Sequence, residues 1–93
     1  DASKIIVAGE SGGGNLTLAT GLRLKQEGAL DLIQGLYALC PYIAGFWPLD
    51  ENPSSVENNG ILLDLHNNQG AMGYGIEEVE KHNPLARPGF ATE

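Results

Sequence analysis

The chain has 93 residues, enough for one small domain, and 42% of them are hydrophobic, so it is able to bury a core. Five basic and twelve acidic residues give a formal charge of −7, which argues against a nucleic-acid-binding surface and against binding to an anionic membrane. The single Cys40 excludes an internal disulfide and a site with several cysteine ligands, and no apolar stretch is long enough to span a bilayer.

The first predicted elements are a strand, a helix and a second strand. Residues 5–8 are an apolar run that ends at Gly9, which suits a strand buried on both faces. Residues 15–28 carry apolar side chains at helical spacing and end on Gly28, a natural C-terminal stop. Residues 35–40 form a second apolar run, which Pro41 closes. This order predicts a βαβ unit with parallel strands and a right-handed crossover.

The second half of the chain has weaker patterns. Residues 45–60 are rich in Pro, Gly, Asn and Ser and are predicted to be loop. Two short helices are predicted after them, one with Ile61, Leu62, Leu65 and Met72 on one side, and one over residues 76–82 with Glu77 and Lys81 spaced to pair. We therefore divide residues 1–93 into a βαβ unit, 1–44, and a loop and short-helix region, 45–93. Two parallel strands need more cover than this region offers, so we expect the chain to be part of a larger α/β domain.

A motif with chemical meaning lies between the first strand and the helix. Gly9-Glu10-Ser11-Gly12-Gly13 matches G-x-S-x-G, in the context of a nucleophile elbow, the strained turn that exposes the hydroxyl of its central serine. We interpret Ser11 as the nucleophile, with its backbone outside the strand and helix regions. Gly9 and Gly13 stand where larger side chains are expected to collide. The N–H of Gly12, at the positive end of the helix dipole, is expected to bind an oxyanion.

Two other interpretations of this turn remain. A phosphate-binding loop has the same layout of strand, glycine-rich loop and helix. Against it, no Lys-Ser or Lys-Thr pair follows the glycines, their spacing does not fit G-x-G-x-x-G, and Cys40-Pro41 stands where a ribose-binding acid is expected. The other alternative is a glycine-rich turn without chemistry.

A resemblance to a known family narrows the interpretation. Gly9-Glu10-Ser11-Gly12-Gly13-Gly14-Asn15-Leu16 resembles the nucleophile segment of the hormone-sensitive-lipase-like α/β-hydrolases, the bacterial family IV esterases. That segment usually reads G-D/E-S-A-G-G-N-L, so Gly12 replaces alanine. Leu39-Cys40-Pro41-Tyr42 resembles the end of the next strand of the family, and Asn83-Pro84-Leu85-Ala86-Arg87-Pro88 resembles its D-P-L-A-S-P stretch.

The resemblance implies the fold and the reaction. The chain is expected to be a fragment of an α/β-hydrolase that hydrolyses carboxylic esters through an acyl-enzyme. The family places its H-G-G-G oxyanion loop before this segment and its catalytic acid and histidine after it. The implied partners are therefore a small ester and the remaining segments of the same polypeptide. A catalytically silent relative that acts as a binding protein is the alternative, and peptidases, thioesterases and acyltransferases share the elbow.

The catalytic triad that this chemistry needs includes an acid and a histidine, and the second half of the chain contains residues of both types. Asp64 and His66 are two residues apart in a predicted helix and point in different directions, which favours a solvated face over a catalytic pair. His82 is interpreted as a helix-end residue. The His, Asp and Glu residues show no metal-ligand spacing, and we expect no metal and no cofactor.

Four residues near the predicted strand ends receive other roles. Glu10 is expected to brace the turn through nearby backbone. Cys40 is interpreted as a small core residue. Phe46 and Trp47 follow the second strand, at the sheet edge where ligands bind in α/β folds, and are candidates for the substrate pocket. Simple packing under a loop is the alternative for both aromatic residues.

Overall fold

A computed structural model of the chain describes residues 2–43, 53–58, 60–61 and 83–92. Its longer elements are a strand β1, Ile6–Glu10, a helix α1, Gly12–Gln26, a strand β2, Gly35–Leu39, and a short helix α2, Pro53–Glu57. Turns of 3-10 helix cover Leu30–Leu32 and Pro88–Phe90. None of the helices in these ranges is long and apolar enough to cross a membrane.

The two strands form a parallel sheet, as the sequence predicts. Ile6 lies opposite Gly35 at one end of the ladder, and Glu10 lies opposite Leu39 at the other. β1 is longer than the predicted strand over residues 5–8, because Gly9 and Glu10 still pair with β2 before the chain turns. The glycine therefore lies inside the strand and does not end it.

Helix α1 begins at Gly12, three residues before the predicted start. The prediction began at Asn15 because glycine is a poor helix former and the apolar repeat starts later. The first hydrogen bond of the helix nevertheless joins the Asn15 N–H to the carbonyl of Ser11, at 3.0 Å. The helix therefore starts directly at the turn that contains the motif.

The other end of α1 stops as predicted, through Gly28. The helix ends at Gln26, and Gly28 has φ +70°, the left-handed conformation that glycine adopts with little strain. The N–H of Ala29 donates to the carbonyl of Leu24 at 2.8 Å, and that of Gly28 donates to the carbonyl of Lys25 at 3.1 Å. This pair of bonds is a Schellman motif, which satisfies carbonyls that the helix end leaves open.

One face of the sheet is covered by α1, which contacts both strands. The helix lies close because two of its four glycines stand where it contacts β2 and Pro41. A Cβ on Gly14 would stand 2.9 Å from the Cα of Pro41, and one on Gly21 would overlap the Cδ1 of Leu36. Gly21, which weakens the helical pattern in the sequence, is thus a packing site for β2.

The opposite face of the sheet is open in the described residues. Ile6 is 67% exposed, Tyr37 61% and Leu39 48%. Burial of both strand faces, which the continuous apolar runs predict, is therefore not reached among the described residues, because the long helix α1 packs on the other side. An apolar sheet face of this kind is stable in water only when it is covered.

The region after residue 45 contains a helix where the sequence predicts loop. α2 forms because the N–H and the side-chain Nδ2 of Asn58 both donate to the carbonyl of Ser54, at 3.1 and 2.8 Å, and close its last turn. Ile61 lies in a turn and is 71% exposed. The predicted helix over residues 76–82 lies outside the described residues, as do Leu62, Leu65 and Met72.

Candidate nucleophile site

Ser11 occupies the single position between the last residue of β1 and the first residue of α1. Its backbone has φ 54° and ψ −115°, which is neither a strand nor a helix conformation. A positive φ is uncommon outside glycine and costs on the order of 1–3 kcal/mol. The backbone geometry that the motif predicts for this serine is therefore confirmed.

Hydrogen bonds on both sides of Ser11 hold the strained turn. The Ser11 N–H donates to the carbonyl of Leu39, at the end of β2, over 3.0 Å. The Ser11 carbonyl accepts the N–H of Asn15 at 3.0 Å and the N–H of Tyr42 at 3.2 Å. An unfavourable backbone conformation persists only where the surrounding structure imposes it, and here the end of β2 does so.

Of the two motif glycines, Gly9 has a steric reason and Gly13 has none among the described residues. A Cβ on Gly9 would overlap the backbone carbonyl of Gly13 and stand 2.8 Å from the Oγ1 of Thr17. A Cβ on Gly13 would meet no described atom within 4 Å. The predicted collision is thus confirmed for Gly9. For Gly13, which is exposed in the first turn of α1, no described atom would be struck, and the collision stays a prediction.

The hydroxyl of Ser11 is exposed and is not used to cap the helix. Serine is favoured at the N-cap because its hydroxyl normally accepts a bond from the first-turn amides. Ser11 makes no such side-chain bond to α1. Gly12 and Gly13 are also exposed, and the N–H groups of the first helical residues have no partner within the helix. The turn therefore places an exposed serine next to amide donors that no helix carbonyl accepts.

Behind the turn, Asn15 joins two distant segments to α1. Its side chain is 2% exposed, and its Nδ2 donates to the carbonyl of Tyr42 at 2.6 Å and to that of Ala86 at 2.9 Å. From the sequence, Asn15 is the predicted start of the helix and a residue of the family-like segment, and its contacts with distant backbone were not predicted. The available signal was an amide side chain in the first turn, flanked by Gly14 and Leu16, in a helix whose charged residues lie toward its end.

The segment that Asn15 contacts is itself tightly built. The carbonyl of Asn83 accepts the N–H groups of Ala86 and Arg87, at 3.0 and 2.7 Å. Arg87 is 3% exposed, and its guanidinium lies over the ring of Phe90, 4.1 Å from the centroid. Burial raises the pKa of the Tyr42 phenol above its ordinary value, and the positive charge of Arg87 partly offsets that rise. Two stretches that are distant in sequence thus form one support for the turn.

Cys40 differs from its predicted role. It is exposed and has φ 37°, so it is not a core residue. The reason is that β2 ends at Leu39 and the chain turns there, which brings Pro41 against Gly14. Glu10 is the last residue of β1 and is exposed, and its role in bracing the turn stays a prediction.

The remaining predicted site residues are not located. Phe46, Trp47, Asp64, His66 and His82 lie outside the described residues. Within the described ranges there is no group of three or more His, Cys, Asp and Glu side chains that could hold a metal ion.

Comparison with known proteins identifies the family. A family model for the alpha/beta hydrolase fold matches residues 1–93, the whole chain. The chain belongs to the α/β-hydrolase family. None of the curated protein sequences compared with the chain matches it.

Solved structures of esterases resemble this α/β-hydrolase chain closely. Esterase Est22 is 82% identical with a TM-score of 0.85, over 99% of this chain and 27% of Est22. A structure of Est22 with p-nitrophenol gives the same identity, TM-score and coverage. Brefeldin A esterase, a bacterial homologue of human hormone-sensitive lipase, is 40% identical with a TM-score of 0.82, over 97% of this chain and 27% of that one.

These matches confirm the hormone-sensitive-lipase-like resemblance and the fold class, a fragment of an α/β-hydrolase. The chain spans about a quarter, 27%, of the length of the esterases that it matches.

Proposed function

We propose that residues 1–93 carry the nucleophile of a serine carboxylesterase, and that Ser11 is that nucleophile. In the proposed reaction the Ser11 Oγ attacks the acyl carbon of an ester while its proton passes to a base. The C–O bond to the alcohol then breaks, and the departing alcohol takes up the proton. Water hydrolyses the resulting acyl-enzyme, which releases the acid and restores the hydroxyl.

The observation that carries this proposal is the conformation of Ser11. The residue has φ 54° and makes no capping bond to α1, so its exposed hydroxyl is not committed to the helix. A serine with only a structural role at this position would be expected to cap the helix, which is worth about 1 kcal/mol. A turn that presents a reactive hydroxyl needs a strained backbone at that residue and a side chain that is not bonded to the helix, and Ser11 has both.

The oxyanion of the tetrahedral intermediate is assigned to the N–H of Gly12. This amide follows the nucleophile directly and lies at the positive end of the α1 dipole. One such donor is typically worth about 3–4 kcal/mol in the transition state. A serine hydroxyl is a poor nucleophile until a positioned base takes its proton. As the family resemblance implies, we assign that base, a histidine, together with the acid and a second oxyanion donor, to segments outside residues 1–93.

The esterase structures support the proposal at family level. Proteins similar to this chain include esterase Est22, alone and with p-nitrophenol, and brefeldin A esterase. A structure of an Est22 variant with one serine replaced by alanine is also similar to this chain, with 80% identity over 99% of this chain.

The test compares Ser11→Ala with the wild type in the complete protein, using a p-nitrophenyl ester as substrate. We expect Ser11→Ala to lower kcat by at least about 10⁴-fold with an unchanged fold, because the covalent route is lost. Ser3→Ala, which alters an exposed serine before β1, is the matched control and should keep wild-type activity.

Two results would contradict the proposal. Turnover retained by Ser11→Ala would show that another group is the nucleophile. A wild-type protein that neither hydrolyses esters nor reacts with a fluorophosphonate probe would show that the chain belongs to a catalytically silent relative.

A further inference from the structure

We infer that Asn15 is a positioning residue for Ser11, a role that rests on the function proposed above. Its side chain is 2% exposed and lies in the first turn of α1, four residues after the serine. Nothing in the reaction requires a carboxamide at this place. Its function is therefore sought in the contacts that it makes.

The contacts of Asn15 use both hydrogens of its amide group. The Nδ2 donates to the carbonyl of Tyr42 at 2.6 Å and to the carbonyl of Ala86 at 2.9 Å. A carbonyl oxygen only accepts, so the amide nitrogen and not the amide oxygen must face both of them. Asparagine supplies two donors from one short side chain, and both are used here.

One of these contacts leads directly to Ser11. The Tyr42 carbonyl is held by the Asn15 side chain, and the Tyr42 N–H donates to the Ser11 carbonyl at 3.2 Å. The Asn15 backbone N–H donates to the same Ser11 carbonyl at 3.0 Å. Asn15 thus acts on the strained residue twice, once through its own backbone and once through the backbone of Tyr42.

The second contact keeps Tyr42 in place from the far side. The Ala86 carbonyl belongs to the turn that Asn83 organises and that ends in the buried Arg87. Without the Asn15 donors, both carbonyls would be left buried without this partner, and the chain around Tyr42 would be expected to shift. A displacement of about 1 Å at the reacting group is enough to slow a reaction by roughly 100-fold.

The test is the rate at which a fluorophosphonate probe labels Ser11 in the complete protein. Asn15→Asp is nearly isosteric, yet it places carboxylate oxygens against two carbonyl oxygens. Asn15→Ser is milder and keeps one donor. Thr17→Val is the matched control, because Thr17 is also 2% exposed on α1, but its Oγ1 donates only within the helix, to the Gly13 carbonyl at 2.8 Å.

The labelling amplitude and the labelling rate separate positioning from stability. The amplitude counts the folded molecules, and the rate constant reports how well each folded molecule presents its serine. For Asn15→Asp we expect the rate constant, and kcat/KM for a p-nitrophenyl ester, to fall together by about 10- to 100-fold. Asn15→Ser should fall less, and Thr17→Val should keep the wild-type rate constant even if its thermal midpoint is lower.

The opposite results would overturn the inference. If Asn15→Asp, or Asn15→Ser where the aspartate variant does not fold, labels at the wild-type rate with only a reduced amplitude, Asn15 is merely structural. A wild-type protein that is not labelled would instead remove the proposed function, and the positioning role with it. The two failures are thus told apart by the wild-type reaction.

Discussion

At the scale of single residues, the turn around Ser11 is held by polar groups. Asn15 is 2% exposed and Arg87 is 3% exposed, which places polar side chains among the most buried in the described part of the chain. A buried polar group is costly to leave unpaired, so it constrains its neighbours more sharply than an apolar contact does. The strain of Ser11 is thereby maintained by directional bonds.

The motif glycines offer a matched pair of substitutions. Gly9→Ala should lower the free energy of unfolding by about 1–3 kcal/mol, because its Cβ would overlap the Gly13 carbonyl and crowd Thr17. Gly13→Ala should change it by no more than about 1 kcal/mol, because its Cβ meets no described atom and alanine favours the helix. Urea unfolding of the complete protein measures both values. Equal destabilisation by the two variants would contradict the structure at Gly9.

Residue-scale prediction from sequence succeeded where the cause is local. The strained conformation of Ser11 and the steric need for Gly9 both follow from a turn of five adjacent residues, whose pattern is visible in the sequence. The roles of Asn15 and Cys40 do not, because the first depends on Ala86, 71 positions away, and the second on where β2 meets α1. The neighbouring residues do not identify the distant partners of such contacts.

At the scale of the elements, the two predicted strands and the helix between them are present, but the boundaries of β1 and α1 differ from the predicted ones. The apolar runs predicted both strands and the helix between them, and the parallel pairing followed from their order. α1 began earlier than predicted because its first hydrogen bond is set by the turn and not by the apolar repeat. α2 was missed because its five residues show no apolar periodicity and depend on Asn58.

The C-terminal end of α1 gives an element-scale prediction. Gly28→Ala should lower the free energy of unfolding by about 1 kcal/mol, because φ +70° is strained for a residue with a Cβ. Gly28→Asn should cost less, since asparagine tolerates this conformation better. Urea unfolding of the complete protein measures the difference, and the kcat should not change, as Gly28 lies at the far end of the helix. A stabilising Gly28→Ala would contradict the Schellman motif.

At the scale of the whole molecule, the open sheet face agrees with a chain that matches about a quarter of its esterase relatives. Ile6 and Tyr37, which are 67% and 61% exposed, lie on the face that α1 leaves uncovered. Like the sheet, the proposed catalytic site is incomplete within residues 1–93, because the base and the second oxyanion donor are assigned to other segments. The uncovered sheet face and the proposed mechanism thus both call for further protein segments around residues 1–93.

Two proteins test that requirement. Residues 1–93 alone should bind a hydrophobic dye and remain unlabelled by a fluorophosphonate, because they offer apolar surface and because the proposal assigns the base to segments outside them. The same residues placed in esterase Est22, in exchange for the segment that is 82% identical, should give a labelled, active protein. Its Ser11→Ala version should be inactive. Stoichiometric labelling of residues 1–93 alone would reveal a base within them.

The hydrogen bonds of Ser11 also determine when the reactive geometry arises during synthesis. A nascent chain that has emerged only as far as α1 lacks the Leu39 carbonyl and the Tyr42 amide that bond to Ser11. No contact with β2 then imposes φ 54° on the serine backbone. The turn becomes strained when β2 docks, and the contact with Ala86 closes a much longer loop afterwards. In ribosome-bound chains that end before β2, the serine is therefore expected to have an ordinary, relaxed conformation, and its strained geometry is expected to follow the docking of β2 and not the formation of α1.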